Sequence, residues 1–194
     1  LLASGAPLEV VFFGDSVTEY GAGAGPTFFT GGRINRGISG QTSQQLVLRF
    51  RQDVLGLKPK IVVMQAGVND ILGNTGLIGP DAFIANFETL IDLAQLHGIA
   101  VVIGGVPAAS GIPGREDIDA TARTADLNRR LRDLAQRRAL PFADYHAALA
   151  GPDRKPRAGL SDDGVHLTPA GYAAIRPVAE RAVAQARARL PGTA

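Results

Sequence analysis

The stretch VVFFGDSVTEYG, residues 10–21, decides the fold of this chain. Four apolar residues run directly into Gly14, Asp15 and Ser16, and polar residues follow. A short run that is apolar on both faces is typical of a strand in a parallel sheet with helices on both sides. The sharp change to polar residues allows two interpretations: an ordinary strand-to-helix turn with a Ser or Thr cap, or a turn that presents Ser16 as a nucleophile.

Further apolar runs bounded by turn residues predict four more strands. They are KIVVMQAG at 60–67, GIAVVIGGV at 98–106, the short LPFADY from Leu140, and a weaker candidate, GRINRG, around Ile34. Apolar residues at helical spacing predict the helices between them. These are a helix from about Ser43 to Leu55 with Leu46 and Phe50, one capped by Asp81 with Phe83, Phe87, Leu90, Ile91 and Ala94, one with Leu127, Leu131 and Leu134, and a last one with Ile175, Val178 and Ala182.

The alternation of strands and helices predicts an α/β domain with a parallel sheet and right-handed crossovers. The 194 residues, of which 45% are apolar, suit one domain over residues 1–194 and exclude a disordered or fibrous chain. No internal repeat, linker or low-complexity segment divides the sequence.

Composition argues against several kinds of site and partner. A formal net charge of +2 gives little electrostatic reason to expect nucleic acid, and we expect Arg181, Arg187 and Arg189 to form a solvated helix face. Because the chain has no cysteine, it has no disulfide, thiolate metal site or cysteine nucleophile. The apolar runs are far shorter than the roughly 20 residues that span a bilayer, so no membrane span is expected.

The sequence starts at Leu1 rather than at a methionine. A cleaved secretion signal and a trimmed sequence would both explain this start, and the residues do not separate the two. The first alternative favours an extracytoplasmic location, either secreted or periplasmic.

Chemically useful residues follow the predicted strands, at the edge of the sheet where ligands bind in α/β folds. Gly14-Asp15-Ser16 follows the first strand, and GISG, residues 37–40, follows the weak one. GVND, residues 67–70, follows the next strand, and DDGVH, residues 162–166, lies between the last strand and the last helix. A serine, a glycine, an amide and an Asp-x-x-His pair would therefore open onto one edge.

Serine becomes a nucleophile when a base takes its proton, and that base needs an orienting partner. Of the three histidines, we expect His97 to be a surface residue at a helix end, and His146 is a weak candidate after the last strand. His166 follows Asp163 by three residues, a spacing that lets the carboxylate reach back to the ring. The alternative is that Asp163 merely caps a turn and that His166 is exposed.

Acyl transfer also requires hydrogen-bond donors aimed at the developing oxyanion. The candidates are the N–H of Ser16 at a helix start, the N–H of Gly40 and the side-chain amide of Asn69. Each has an ordinary explanation as well, because Gly40 could be a turn residue and Asn69 with Asp70 could form a helix cap.

Three further aspartates lie beside these positions without a predicted catalytic role. We interpret Asp15 and Asp70 as hydrogen-bonding supports of their loops, and Asp162 as solvent-facing. We therefore expect these carboxyl groups to take no direct part in the reaction.

Taken together, the four blocks resemble a known family. GDSVT, NRGISGQT, GVND and DGVHLTPAGY occur in the order found in the SGNH hydrolases, also called the GDSL esterase/lipase family, and extend from about Val10 to Tyr172. NRGISGQT is most similar to the bacterial acetylesterase-like branch. The chain has GDSVT where the family often has GDSL, and GVND where GTND is usual, but neither change removes a catalytic group.

The resemblance implies both a fold and a site. The fold would be a flavodoxin-like, three-layer α/β/α sandwich around about five parallel strands. Ser16 would be the nucleophile, His166 the general base and then acid, and Asp163 the residue that holds His166. The N–H of Ser16, Gly40 and Asn69 would form the oxyanion hole.

Other kinds of site fit the sequence less well. GAGAGP, residues 21–26, is glycine-rich, but Pro26 takes the last glycine position of GxGxxG and the run begins several residues after the strand ends. We interpret it as a flexible loop bordering the cleft and expect no nucleotide cofactor. No histidine pair has the spacing of metal ligands, so no metal is expected. A catalytically inactive carbohydrate-binding domain is a further alternative, although no catalytic group is missing.

The predicted activity is hydrolysis of short-chain acyl esters, acetyl above all, of small molecules or of acetylated carbohydrate. An acyl-thioesterase or lysophospholipase of the same family is the alternative, and the oligomeric state is not indicated. We expect the acyl chain near Ile71–Pro80 and Pro107–Asp117, which are rich in glycine, proline and small residues. Because each buried methylene contributes about 0.8 kcal/mol, an enzyme for long chains should have a continuous apolar wall, and these segments lack one.

Overall fold

The structure is a computed structural model that describes residues 8–21, 28–111, 115 and 117–190. Within these ranges, helices alternate with the strands of one five-stranded sheet. The strands are β1 (Val10–Gly14), β2 (Arg33–Gly37), β3 (Ile61–Gln65), β4 (Ala100–Gly104) and β5 (Phe142–Ala143). The helices are α1 (Ser16–Tyr20), α2 (Ser43–Asp53), α3 (Val68–Leu72), α4 (Pro80–Leu96), α5 (Ala120–Arg137), α6 (Tyr145–Leu149) and α7 (Pro169–Arg187).

All five strands are parallel, and their order across the sheet is β2-β1-β3-β4-β5. This is the flavodoxin-like order of a doubly wound sheet. The expected α/β fold with about five parallel strands is therefore confirmed, and the weak GRINRG candidate is the edge strand β2. The interior strand β1 pairs on both sides, with Val10 opposite Arg33 of β2 and Ile61 of β3.

The sheet separates two apolar cores, which makes the fold a three-layer sandwich. Successive residues of a strand point to opposite faces, so β1 contributes to both cores. Val11 and Phe13 pack with the buried residues of α2, α4 and α5. Val10 and Phe12 pack with those of α1, α6 and α7. All five residues of β1 are buried, as its unbroken apolar sequence predicts.

The helices begin and end close to the predicted positions, with one correction. Asp81 does not cap its helix: Gly79 is the N-cap of α4, and Pro80 takes the first position, where its fixed φ suits a helix start. The Asp81 carboxylate instead accepts a hydrogen bond from Arg130 Nη1 of α5 at 2.7 Å. No helix among the described residues is both long and apolar enough to cross a membrane.

The arginines near the C-terminus form the predicted solvated face only in part. Arg181 and Arg189 are exposed. Arg187 is half-buried and forms an ion pair with Glu9 at 2.6 Å. The difference arises because the residues that lead into β1 lie beside the end of α7, within reach of that guanidinium.

The strand order predicts where a ligand would bind. In a doubly wound sheet the crevice lies beyond the carboxyl ends of the strands, where the connections leave towards opposite faces. Here that point lies between β1 and β3, because α1 packs against one face and α3 against the other. Ser16 follows the end of β1 with one residue, Asp15, between them, and Asn69 lies in the helix just beyond β3.

Gly37 allows α1 to pack closely against β2, and this contact gives a testable prediction. A Cβ atom at Gly37 would lie 2.1 Å from the backbone nitrogen of Glu19, whereas a Cβ at Gly79 would meet no atom within 4 Å. We expect Gly37→Ala to lower the free energy of unfolding by about 1–3 kcal/mol through overpacking. Urea denaturation measures this loss, and the control Gly79→Ala should lose less than about 1 kcal/mol. Equal losses in the two variants would contradict the close packing of α1.

Candidate active site

Ser16 occupies the first position of α1, just after β1. Asp15 caps this helix, because its Oδ1 accepts a hydrogen bond from the backbone N–H of Val17 at 3.0 Å. The turn after β1 therefore does not need the Ser16 hydroxyl as its cap. Ser16 is only 2% exposed. Its position is set by the end of β1 on one side and the start of α1 on the other.

A short hairpin-like loop carries Asp163 and His166. Ser161 pairs with Leu167 across the loop, and the N–H of Asp162 donates to the carbonyl oxygen of His166 at 3.1 Å. Inside the loop, Asp163 Oδ1 accepts hydrogen bonds from the N–H groups of Val165 at 2.9 Å and His166 at 2.7 Å. Asp163 therefore does cap a turn, but one of its oxygens is left for the His166 ring.

Gly164 is needed at the tip of this loop. Its φ is +86°, which favours glycine, and a Cβ there would lie 2.4 Å from Ser110 Oγ. Its carbonyl oxygen accepts a hydrogen bond from the N–H of Ser110 at 3.0 Å, which ties the loop to the segment after β4. The loop is thus held at its base and at its tip.

The structure brings Ser16, His166 and Asp163 into one chain of hydrogen bonds. His166 Nε2 lies 3.1 Å from Ser16 Oγ, and His166 Nδ1 lies 2.6 Å from Asp163 Oδ2. An ionised Asp163 can only accept, so Nδ1 carries the proton and Nε2 is left to accept the proton of the serine. This is the tautomer that a general base requires.

Asp163 is ionised over a wide pH range. Partial burial acts to raise the pKa of this carboxyl group, but the hydrogen bonds from the His166 N–H, the His166 ring and the Val165 N–H outweigh it, and the pKa is lowered. The carboxylate that orients His166 is therefore charged wherever His166 could act as a base.

The other candidate donors lie on the two loops beside Ser16. The N–H of Ser16 is at the start of a helix and has no acceptor within it. Gly40 has a φ of +77°, and no described residue accepts a hydrogen bond from its N–H. Asn69 is 6% exposed, and its Nδ2 donates one of its two hydrogens to the carbonyl oxygen of Gln41 at 3.0 Å. Each of the three groups thus retains an N–H for a ligand.

Asp15 and Asp70 lie where the supports were expected, and both are buried. Gln65 Nε2 donates to Asp15 Oδ2 at 3.3 Å, below the nucleophile. Asp70 accepts hydrogen bonds from Ser43, at 3.0 Å from its N–H and 2.5 Å from its hydroxyl. Burial raises the pKa of Asp15 to about 7 and that of Asp70 to about 6. Asp162 is exposed, as predicted.

The remaining histidines do not join this arrangement. His97 is exposed at the end of α4, as the sequence predicts. His146 lies on α6 beside the charges of Asp144, Arg132 and Arg154, and burial lowers its pKa. In the part of the chain that the structure describes, no group of three or more His, Asp and Glu side chains could hold a metal ion.

Two cavities lie near these residues, but Ser16, Asp163 and His166 line neither. One, of about 560 Å³, lies between the sheet and α7, beside Phe12, Phe28 and Tyr172. The other, of about 520 Å³, is lined by part of the predicted acyl-binding segment Ile71–Pro80 and by α5. The second predicted acyl segment is described except at 112–114 and 116, and most of GAGAGP, residues 22–26, lies outside the described residues.

Comparison with known proteins gives this geometry a family. A Ser-His-Asp arrangement at the edge of a sheet is the geometry of a serine hydrolase. The sequence profile of the GDSL-like Lipase/Acylhydrolase family matches residues 12–174. Because the match covers most of the chain, this protein belongs to that family of carboxylic ester hydrolases, as its sequence blocks predict.

Several solved structures and one curated sequence are similar. A GDSL-like lipase from Bacteroides thetaiotaomicron is 37% identical, with a TM-score of 0.87 over 92% of this chain and 89% of that one. The acetyl xylan esterase AlAXEase is 26% identical, with a TM-score of 0.73 over 90% of this chain and 99% of that one. The uncharacterized lipoprotein YqeF of Bacillus subtilis is 33% identical over 73 residues, which are 36% of this chain and 30% of the lipoprotein.

Two residues that shape the site were missed by sequence reasoning, although each carried a signal. The Tyr20 ring lies 5.4 Å from the His166 ring, and its hydroxyl lies 3.2 Å from Ser39 Oγ. Tyr20 is four positions after Ser16, so a helix after the nucleophile would have placed both on one face. Gln65 is a polar residue at the end of an otherwise apolar strand, which indicates a buried hydrogen-bond partner there.

The raised pKa of Asp15 predicts how stability depends on pH. The folded chain keeps this proton up to about pH 7, whereas the unfolded chain loses it near the ordinary pKa of 3.8. The folded state therefore binds more protons between these values, and this contribution to stability is lost as the pH rises through them. We expect Asp15→Asn to reduce the loss in Tm between pH 5 and pH 8, as thermal unfolding would measure.

Asp162→Asn is the matched control, because it neutralises an exposed carboxylate a few residues from the same site. Between pH 5 and pH 8 its Tm should fall by as much as the Tm of the original protein. If Asp15→Asn also kept that fall unchanged, Asp15 would be ionised in the folded protein and its burial would be offset by its hydrogen bonds.

Proposed function

We propose that this protein is a serine esterase that hydrolyses short-chain acyl esters, acetyl esters above all, through an acyl-enzyme intermediate. The observation that carries the proposal is the unbroken chain of hydrogen bonds from Ser16 Oγ through His166 to Asp163, at 3.1 and 2.6 Å. A serine hydroxyl is a weak nucleophile without such a base, and a base without an orienting partner has no fixed tautomer.

In the first half of the reaction, Ser16 Oγ attacks the carbonyl carbon of the ester while its proton moves to His166 Nε2. The carbonyl electrons move to the oxygen and form a tetrahedral oxyanion. When the carbon–oxygen bond to the alcohol breaks, the leaving oxygen takes the proton from Nε2 and departs as an alcohol. Asp163 stays ionised and stabilises the imidazolium that exists between the two transfers.

In the second half, a water molecule takes the place of the alcohol. His166 Nε2 accepts a proton from the water as the water oxygen attacks the acyl carbon. The second tetrahedral intermediate collapses, Ser16 Oγ regains the proton from Nε2, and the carboxylic acid leaves. The enzyme returns to its starting protonation state, and the net reaction consumes one water per ester.

The N–H groups of Ser16 and Gly40 and the amide of Asn69 form the proposed oxyanion hole. Each retains an N–H that no other group takes up, as described above. Donors of this kind contribute mainly when the charge develops, and removing one costs about 10²–10³ in kcat in a well-studied serine protease. Asn69 is held by Gln41, so it would need no reorganisation when the charge appears.

The preference for short acyl groups is supported by the shape around the nucleophile. The side chains of His166 and Asp163 are 35% and 43% exposed, which is typical of a shallow site. Ile71, Leu77 and Ile78 of the nearby segment Ile71–Pro80 line the cavity of about 520 Å³, but Leu77 is 68% exposed, so this side of the cavity is open to solvent.

The alcohol part of the substrate would lie beside Tyr20. His166 must reach the leaving oxygen, and the Tyr20 ring lies 5.4 Å from the His166 ring while Tyr20 is 47% exposed. A half-exposed aromatic ring next to the leaving group suits a sugar, whose apolar face can pack on it. The similarity to an acetyl xylan esterase supports acetylated carbohydrate as a substrate class.

We also propose that residues 1–194 act as one domain and that the protein works outside the cytoplasm. The described helices all pack on one sheet. The partial match to a lipoprotein supports the location. Fractionation of the native host followed by immunoblotting would test it, and recovery in the cytoplasmic fraction alone would contradict it.

The proposed mechanism gives a prediction about the nucleophile and the base. Ser16→Ala and His166→Ala should each lower kcat by about 10⁴–10⁶, and the double variant should be hardly worse, because the two residues act as a unit. Thr89→Ala, which removes a hydroxyl on the surface of α4, should keep full activity. A serine-directed phosphonate should add one adduct mass to the original protein and none to Ser16→Ala. A folded Ser16→Ala with a tenth of the original kcat would show that the mechanism is wrong.

A further prediction concerns the acyl group. We expect kcat/KM for p-nitrophenyl esters at submicellar concentration to be greatest between acetate and butyrate and to fall towards laurate. Long chains should gain little, because each methylene contributes about 0.8 kcal/mol only where it is buried. A maximum at octanoate or beyond would overturn the preference, and faster cleavage of acyl-thioesters than of acetylated xylo-oligosaccharides would favour the thioesterase alternative.

A further inference from the structure

Asn74 makes contacts with two of the three proposed oxyanion donors at once. Its side-chain Nδ2 donates to the carbonyl oxygen of Gly40 at 3.0 Å and to Oδ1 of Asn69 at 3.0 Å. Gly40 lies after β2 and Asn69 lies after β3, so a single amide joins the two loops that flank the nucleophile. The mechanism described above does not use this residue.

The hydrogen bonds permit only one orientation of the two amides. A backbone carbonyl can only accept, so the Asn74 atom that faces the Gly40 oxygen must be the nitrogen. That nitrogen also faces Asn69, so Asn69 must present its oxygen to it. Asn69 Nδ2 then faces the carbonyl oxygen of Gln41, another obligate acceptor, at 3.0 Å. Two backbone carbonyls and one amide therefore set the direction in which Asn69 presents its second N–H.

Asn74 is itself held in place by its own loop. Its backbone N–H donates to the carbonyl oxygen of Asn69 at 3.1 Å, and Gly73 before it ends α3 with a φ of +73°. The next residue, Thr75, lies 3.0 Å from Thr42 Oγ1 and 3.1 Å from Gln44 Oε1 through its hydroxyl. The loop is thus fastened to the start of α2 independently of the Asn74 side chain.

We infer that Asn74 is a positioning residue of the oxyanion hole, an inference that rests on the proposed esterase function. It acts through Asn69, which it orients, and through Gly40, whose carbonyl oxygen it binds. Without it, one of the two hydrogen bonds that orient the Asn69 amide is lost, and the orientation that presents Oδ1 to the developing negative charge becomes more populated. That orientation is repulsive in the transition state and nearly neutral in the ground state, so the loss should appear in kcat rather than in KM.

Two substitutions at this position separate orientation from packing. Asn74→Ala removes this donor, so that the hydrogen bond to the Gln41 carbonyl oxygen is left to orient the Asn69 amide. Asn74→Asp keeps the shape but places a carboxylate oxygen opposite two acceptors, the Gly40 carbonyl and Asn69 Oδ1. Asn69 would then turn its nitrogen towards the carboxylate and its oxygen towards the oxyanion. The isosteric change should therefore be the more harmful one, whereas a packing role predicts the opposite order.

The experiment measures kcat and KM for p-nitrophenyl acetate in Asn74→Ala, Asn74→Asp and the control Thr75→Ala, each alone and combined with Asn69→Ala. We expect Asn74→Ala to lower kcat about tenfold with KM within about twofold. Removing an oxyanion donor outright costs about 10²–10³ in kcat, and losing one hydrogen bond that orients such a donor should cost less. Asn74→Asp should lose more. In the Asn69→Ala background, Asn74→Ala should lose most of its effect, because the amide that it orients is gone.

Three results would overturn the inference: equal or better activity of Asn74→Asp than of Asn74→Ala, additive losses with Asn69→Ala, or a similar loss of kcat in Thr75→Ala. The last would show that the loop matters only as structure, and Tm measurements on all variants detect misfolding. Failure of the proposed function is a different result, since an active Ser16→Ala would overturn both. An inactive Ser16→Ala with an unaffected Asn74→Asp overturns the Asn74 inference alone.

Discussion

The hydrogen bond between His166 Nε2 and Ser16 Oγ joins residues that are 150 positions apart, and the site depends on it. Its two ends are held by unrelated means. Ser16 follows a strand that is buried on both faces, where a slip of one residue would exchange the two cores. His166 lies in a loop that Asp163 closes with hydrogen bonds to two N–H groups. Each end is therefore held by contacts of its own, independently of the hydrogen bond that joins them.

The proposed oxyanion donors lie beside buried polar groups as well as apolar residues, and the burial of these polar groups has a cost in stability. Asp15 and Asp70 lie in the interior with pKa values raised to about 7 and about 6, so their ionisation opposes folding near neutral pH. Each holds a chain segment next to a proposed donor: Asp15 caps the helix of Ser16, and Asp70, which follows Asn69, accepts a hydrogen bond from Ser43 at the start of α2. A less polar interior would be more stable but would leave these loops free to move.

Most of the fold and the principal residues of the site could be predicted from the sequence, for physical reasons. Parallel strands buried on both faces give unbroken apolar runs, and residues after them must share one edge, which is why Ser16, Asn69 and His166 could be grouped. The cap of α4 could not be assigned, because Asp81 resembles a cap while the Gly79-Pro80 start competes with it. Asn74 could not be found either, since an exposed loop asparagine has no periodicity and its role depends on contacts between separate loops.

The loop after α3 connects the residues that we expect to influence turnover with those that we expect to influence acyl specificity. It carries Asn74, which hydrogen-bonds to Asn69 and Gly40. It continues into Leu77 and Ile78, which line the cavity of about 520 Å³ beside α5. Gly73 and Gly76, with φ values of +73° and +90°, confine the loop to a tight turn between these two parts. The sequence predicts that the acyl chain lies near this segment, so a change here that accommodates a longer acyl group would shift Asn74 as well. Because we infer that Asn74 orients the amide of Asn69, we expect acyl specificity and turnover in this protein to change together rather than independently.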